Sequence, residues 1–193
     1  MARTTSKPKL TYAISFGLAG GPAHARRFNH YLQRVGFRKT PIDKADIIIA
    51  HSGGTWLIPL TAKPRLVIYI GMPLAQTNPR QTWRAARMAM RQHGQLIHSR
   101  KTLIKNSYYL LLQPHRNFHM VRIAKTAQPI TFPDAKTIFI SNHHDPWTRD
   151  ENLQDFVKNS SWAFISMSGS HDDIWEHSEH YVDIINHYAG LLG

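Results

Sequence analysis

The sequence predicts an α/β fold, a mostly parallel sheet flanked by helices with a helical cap insertion. Three observations predict it. Short apolar, β-branched runs recur along the chain, helical stretches separate them, and each run empties into a loop rich in glycine, serine, histidine or aspartate. Strands alternating with helices imply right-handed crossovers, which build parallel sheets. The 193 residues suit one sizeable core rather than two, so 1–193 is read as a single domain.

The first strand is LTYAISF, Leu10 to Phe16, which alternates and opens into the glycine-rich GLAGGPAH. A helix is expected from about Ala23 to Val35, ended by Gly36, while Phe37 to Thr40 is too short to assign before Pro41. Next come a strand at Asp46 to Ala50, a helix from Gly53, and the strand RLVIYI, Arg65 to Ile70, stopped by Gly71-Met72-Pro73. From Gln81 to Gln92 the pattern is helical, with Arg80, Arg84, Arg87 and Arg91 on one face and Trp83, Ala86 and Met90 on another. Two more helical stretches, about Thr102 to Leu112 and Asn117 to Thr126, are broken near Pro114. Residues 76–130 are thus read as a basic helical cap lying over the sheet. The sheet pattern resumes with KTIFIS (Lys136 to Ser141), a helix near Arg149 to Lys158, the strand WAFISM (Trp162 to Met167) and a last helix from about Ile174 to Tyr188.

The net charge is +12, and no acidic residue occurs between Asp46 and Asp134. Such a block is either an electrostatic footprint for nucleic acid or an anionic membrane surface, or a solvated basic face. No apolar run approaches the roughly eighteen residues of a membrane span, and the start lacks the apolar core of a signal peptide. A cytoplasmic protein is expected. With no cysteine, a thiolate nucleophile, disulfides and thiolate metal sites are excluded.

In a parallel sheet every loop after a strand emerges at the same carboxyl edge, where open α/β sheets bind ligands. Three such loops carry distinctive residues: Ser52 within Ala50-His51-Ser52-Gly53-Gly54, Asp145 within NHHDPW, and His171 within SGSHDD. A nucleophilic serine needs a base to take its proton and a carboxylate to orient that base. Each element also has an ordinary reading: a tight turn at Ser52, a turn or helix cap at Asp145, a surface or structural imidazole at His171. Their joint occurrence, each after an expected strand, favours catalysis.

Ala50-x-Ser52-x-Gly54 and the chain order Ser52, Asp145, His171 resemble the α/β-hydrolase superfamily, in particular its small serine hydrolases and esterases. There the serine sits on a strained strand-to-helix turn flanked by small residues. Alanine replaces the usual first glycine, and the strand-helix preamble of larger members is absent or shortened. The resemblance implies an acyl-enzyme on Ser52, His171 as base, Asp145 as the orienting acid, and an oxyanion hole from the backbone N–H groups of Gly53 and Leu18, with Ala19 as the neighbouring candidate for the second. It implies a small-molecule acyl substrate and no cofactor.

Two other readings compete. Asp173, His177 and His180 share a helical face at a spacing that suits a divalent metal, with no further ligand visible; NHHD could likewise ligate metal through His143 or His144, but a loop placing Asp145 at the sheet edge explains it without one, and no metal is expected. The alternative class is a basic protein that binds nucleic acid or an anionic surface on a catalytically inactive scaffold of this fold. Its aromatic and basic residues, Tyr108, Tyr109 and Phe118 among them, would stack bases or meet phosphates.

Overall fold

The computed structural model describes residues 10–18, 20–73, 100–126, 132–145, 148 and 150–192. Among them the strands are β1 (Thr11–Ser15), β2 (Arg38–Lys39), β3 (Ile47–His51), β4 (Leu66–Ile70), β5 (Lys136–Asn142) and β6 (Ala163–Met167). The helices are α1 (Arg26–Arg34), α2 (Arg100–Leu112), α3 (Pro114–Thr126), α4 (Asp150–Val157), α5 (Asp173–Glu176) and α6 (Ser178–Gly190). The strands form one sheet in the order β2-β1-β3-β4-β5-β6, and every neighbouring pair is parallel.

The two faces of the sheet follow the period of two along each strand. Tyr12, Ile47, Ile49, Leu66, Ile68, Ile70, Ile138 and Ile140 pack on one face against Phe28 and Leu32 of α1 and Tyr181, Val182 and Ile185 of α6. Ala13, Ile48, Ala50, Val67, Tyr69 and Phe139 pack on the other against Leu153 and Val157 of α4. Because β3 and β4 are buried on both sides, they read as continuous apolar runs rather than as alternating ones. Fully burying each such isoleucine contributes about 1.5–3 kcal/mol, so these central strands anchor the edge from which the functional loops emerge.

Several elements differ from the sequence expectation for identifiable reasons. The helix expected from Gly53 is a short 3-10 helix, Ser52–Leu57. Two glycines weaken it, and Pro59 drives Ile58 into extended backbone with ψ of 121°. Helix α1 begins at Arg26 because the residues before it form a turn closed by the His24 N–H on the Gly21 carbonyl, 3.0 Å. Gly36, at φ of 100°, follows the helix in the left-handed conformation that suits glycine. The unassigned stretch at Phe37 to Thr40 holds the two-residue strand β2, paired with β1. Helix α3 starts earlier than expected, at Pro114, since proline fits the first helical position, where its missing N–H costs nothing. The last helix is two, broken at His177, where the Ser178 hydroxyl donates to the Ile174 carbonyl at 2.8 Å. The arginine face expected over 81–92 lies outside the described residues.

Candidate active site

The chain leaves β1 for the edge strand β2 and then crosses back to β3 on the other side of β1. The loops after β1 and β3 therefore diverge, and the crevice between them at the carboxyl edge is where such sheets accept ligands. Gly17 on the first of these loops and Ser52 on the second lie against each other at that edge.

Ser52 has φ of 54°, the sole non-glycine residue at positive φ among the described residues. A serine pays about 1–2 kcal/mol for that conformation, which places it on a sharp turn between β3 and the 3-10 helix. Packing enforces the turn. A β-carbon on Gly54 would lie 2.6 Å from the Ser15 carbonyl carbon, and one on Gly17 would lie 2.6 Å from the Ser52 β-carbon and 3.0 Å from its hydroxyl. Only glycine fits at either point, so the loop after β1 rests directly on the serine.

His171 and Asp145, on the loops after β6 and β5, are brought together. His171 Nδ1 lies 2.7 Å from Asp145 Oδ2, with both side chains buried. A carboxylate can only accept, so Nδ1 carries the proton that this bond uses. The pair sits over the end of β4. A β-carbon on Gly71, which follows β4 at φ of 57°, would lie 2.9 Å from Asp145 Oδ2 and 3.2 Å from His171 Nδ1. Since His51 pairs with Ile70, Ser52 and Gly71 leave adjacent strands at the same level. Serine, imidazole and carboxylate thus all leave strands at one edge of the sheet, and there the imidazole is paired with the carboxylate.

The two loops are tied to each other and to the core. The His143 and His144 N–H groups donate to the carbonyls of Met167 and Gly169, at 2.8 and 3.0 Å. Asn142 Nδ2 donates to the Ser170 carbonyl at 2.8 Å, and the Tyr181 hydroxyl donates to Asn142 Oδ1 at 2.7 Å. Every one of these bonds lies at the base of the Asp145 and His171 loops, which limits the freedom of the pair above.

Two buried imidazoles are driven in opposite directions. Burial, followed by the neighbouring His171, lowers the His51 pKa to about 4. It is neutral at pH 7, and its Nε2–H donates to the His171 carbonyl at 2.9 Å. For His171, burial favours the neutral ring, but the Asp145 charge and hydrogen bond, with Asp172 adding to them, outweigh it and raise the pKa above the ordinary imidazole value.

Of the remaining sequence candidates, Gly53 follows Ser52 beneath Met120 of α3. Leu18 is half exposed on the loop that rests on Ser52, and Ala19 lies outside the described residues. Asp173, His177 and His180 do not assemble into a cluster. Asp173 accepts from His177 Nδ1 at 2.7 Å and from the Tyr181 hydroxyl at 3.3 Å. Among the described residues no group of three or more histidine or acidic side chains is placed to hold a metal.

No protein-family model matches the chain, and no curated protein matches it. Solved structures do. A protein described as a non-heme bromoperoxidase, from Mycobacterium tuberculosis, superposes with a TM-score of 0.62 at 9% identity, over 96% of this chain and 94% of that one. A thioesterase of the prodiginine pathway of Streptomyces coelicolor gives 0.59 at 13% identity, over 96% and 95%. The fold is that of the α/β-hydrolases. An enol-lactonase from Burkholderia xenovorans gives 0.56 at 10% identity, over 95% of this chain and 92% of that one.

On this α/β-hydrolase fold, three features around the site were not identified from sequence. Gly71 makes room for the Asp145 and His171 pair, and the glycine directly after a strand was its only signal. His51 buttresses the His171 backbone from the last position of β3. Arg116 of α3 reaches the loop after β1 from about a hundred residues away in sequence, and no local pattern marks it. No helix among the described residues is long and apolar enough to cross a membrane.

Proposed function

We propose that the chain is a serine hydrolase that cleaves a carboxylic ester or related acyl bond. The observation that carries this reading is the left-handed Ser52 at the carboxyl edge of the sheet, the edge that also bears a buried imidazole bonded through Nδ1 to Asp145. Ser52 Oγ attacks the substrate carbonyl carbon while His171 Nε2 takes the hydroxyl proton. The carbonyl oxygen becomes an oxyanion, stabilised by the Gly53 and Leu18 N–H groups. Collapse expels the alcohol, which receives the proton from His171 and leaves an acyl-enzyme on Ser52. Water then attacks, giving its proton to His171; the carboxylic acid departs and Ser52 regains its hydrogen. Asp145 holds the ring in the required tautomer and stabilises its cation. No cofactor enters the sequence of steps.

Support from the structural neighbours is of a coarser kind. Two of the three bear names of acyl-bond chemistry, thioesterase and enol-lactonase, and the third does not. One fold hosts many chemistries, so the argument rests on the site. The test is labelling by a fluorophosphonate probe, followed by a panel of nitrophenyl esters of increasing acyl length. Wild type should label and turn over, and Ser52→Ala should do neither. Labelling of both proteins to the same extent, or of neither, overturns the reading.

A second reading has its own observation. On α2 and α3, Leu111 is 81% and Phe118 70% exposed, and Lys105 and Arg122 of the same two helices are exposed. Exposed apolar and cationic side chains on one helix pair suit an anionic surface, in keeping with the net charge of +12. In this reading 76–130 acts as a basic binding cap on an inactive scaffold. Sedimentation with phosphatidylglycerol vesicles, phosphatidylcholine vesicles and a nucleic-acid duplex separates the two. Salt-sensitive binding to either polyanion without Ser52 labelling favours the binding protein, and labelling without binding favours the enzyme. The cytoplasmic setting and the single-domain organisation belong to the same proposal, and cell fractionation and limited proteolysis test them.

A further inference from the structure

The loop between β1 and α1 is gripped from above by one side chain. Arg116, half-buried on α3, donates from Nη2 to the carbonyls of Phe16 and Gly17, both at 2.6 Å, and from Nη1 to the Gly20 carbonyl at 3.1 Å. It also bonds the Gln113 side chain one turn earlier, which steadies the guanidinium on its helix. Arginine has donors only and keeps its charge, so these carbonyls have no reason to turn away. A second residue of the helix pair braces the far end of the loop. The Tyr109 hydroxyl accepts the Ala23 N–H at 3.0 Å, and the Tyr109 ring fills the space that a β-carbon on Gly21 would need.

Peptide planarity gives this grip a consequence. In a trans peptide the C=O of one residue and the N–H of the next point in opposite directions. Holding the Gly17 carbonyl on Arg116 therefore turns the Leu18 N–H away from α3, and holding the Phe16 carbonyl does the same for the Gly17 N–H. Gly17 is the residue that rests on Ser52. The Gly17 carbonyl also accepts the Gly20 N–H at 3.1 Å, so Arg116 reinforces a turn in a stretch whose glycines give the backbone unusual freedom.

We propose that Arg116 is a positioning residue that locks the Phe16-Gly17 and Gly17-Leu18 peptide planes, so that the Leu18 N–H is presented to the oxyanion formed on attack by Ser52. Seating of α3 and assembly of the oxyanion hole are then one event, and a substrate that displaces the helix pair also disarms the hole. This inference rests on the serine-hydrolase reading above.

The experiment compares wild type, Arg116→Ala and Arg116→Lys on a nitrophenyl ester, with circular dichroism as the fold control. Loss of one oxyanion donor lowers rates by about 10² to 10³, and Arg116→Ala should lose that much in kcat while KM changes by less than about threefold, since an oxyanion contact acts in the transition state. Arg116→Lys, with a point charge in place of a planar fork, should recover part of the loss. Millimolar guanidinium chloride should restore activity to folded Arg116→Ala and leave wild type unchanged. Unaltered kcat in both folded variants overturns the inference, as does a loss confined to KM. If Arg116→Ala does not fold, an Arg116→Lys enzyme with wild-type kcat has the same force. A wild type that neither labels nor turns over fails at the earlier step and removes the serine-hydrolase reading itself.

Discussion

Gly71 leaves β4 in the left-handed region directly beneath Asp145, and a single methyl group there would press on both members of the carboxylate-imidazole pair. The space for the pair is thus made by the neighbouring strand rather than by the loops that carry it. Gly71→Ala would bring a backbone penalty of about 1–2 kcal/mol together with displacement of Asp145 or His171. A kcat loss of at least tenfold is expected, with a Tm lowered by a few degrees. Steady-state kinetics and a thermal melt check it; an unchanged kcat would mean that the pair tolerates a shift and is not held for catalysis.

Ser52 should show a conflict between stability and function. Replacing it by glycine relieves roughly 1 kcal/mol or more of left-handed backbone cost, and for a domain of this size that corresponds to a Tm rise of about 2–4 °C per kcal/mol. Ser52→Gly is expected to melt higher than wild type and to have no esterase activity, whereas Ser52→Ala keeps the strain and should not gain in Tm. Scanning calorimetry on the three proteins decides it, and equal melting of Gly and Ala variants would contradict the strained turn.

The pH profile follows from the direction of the His171 shift. As a base the ring must be neutral, and its pKa is raised, so the acid limb of kcat/KM should lie above the ordinary imidazole value of about 6.5. Asp145→Asn removes the charge that outweighs burial, which should move the limb to lower pH, and a loss of about 10⁴ in kcat is expected from the wrong tautomer. A limb that stays in place in Asp145→Asn would show that some other group titrates.

His51 makes an opposite contribution to folding. Its folded pKa, about 4, lies below the unfolded value near 6.5. The unfolded chain therefore binds the extra proton between these values, and the stability that His51 contributes above pH 6.5 is lost as pH falls towards 4. Replacement by glutamine, which keeps a donor for the His171 carbonyl and does not titrate, should flatten the decline of Tm across that window. Tm measured at pH 7, 6, 5 and 4 tests this, and parallel curves for the two proteins would count against it.

Two glycines provide a matched pair. A methyl at Gly54 meets the main chain of Ser15, which cannot swing aside, while a methyl at Gly190, at the end of α6, meets nothing within 4 Å. Gly54→Ala should fold poorly or lose many degrees of Tm, and Gly190→Ala should be neutral or gain up to about 1 kcal/mol from better helix propensity. Comparable melting of the two variants would show that the strand and turn do not approach as closely as described.

The sequence by itself determined the five longer strands, their alternation with helices and the loops that hold Ser52, Asp145 and His171. Burial on one or two faces leaves a period in the chain, and glycine and proline mark where each run must stop. β3, β4 and β5 were legible to within a residue or two for that reason. The Ser52 turn was legible too, because small residues two positions either side reflect a local steric demand.

What only the tertiary structure decided is contact between residues that share no local pattern. The sheet order puts the loop after β1 opposite Ser52, and the register of β3 with β4 puts Gly71 under the Asp145 and His171 pair. Packing of α3 carries Arg116 onto carbonyls a hundred residues earlier. Each of these contacts depends on which surfaces meet when the sheet closes and the helices settle on it, a property of the assembled chain that no short window of residues encodes.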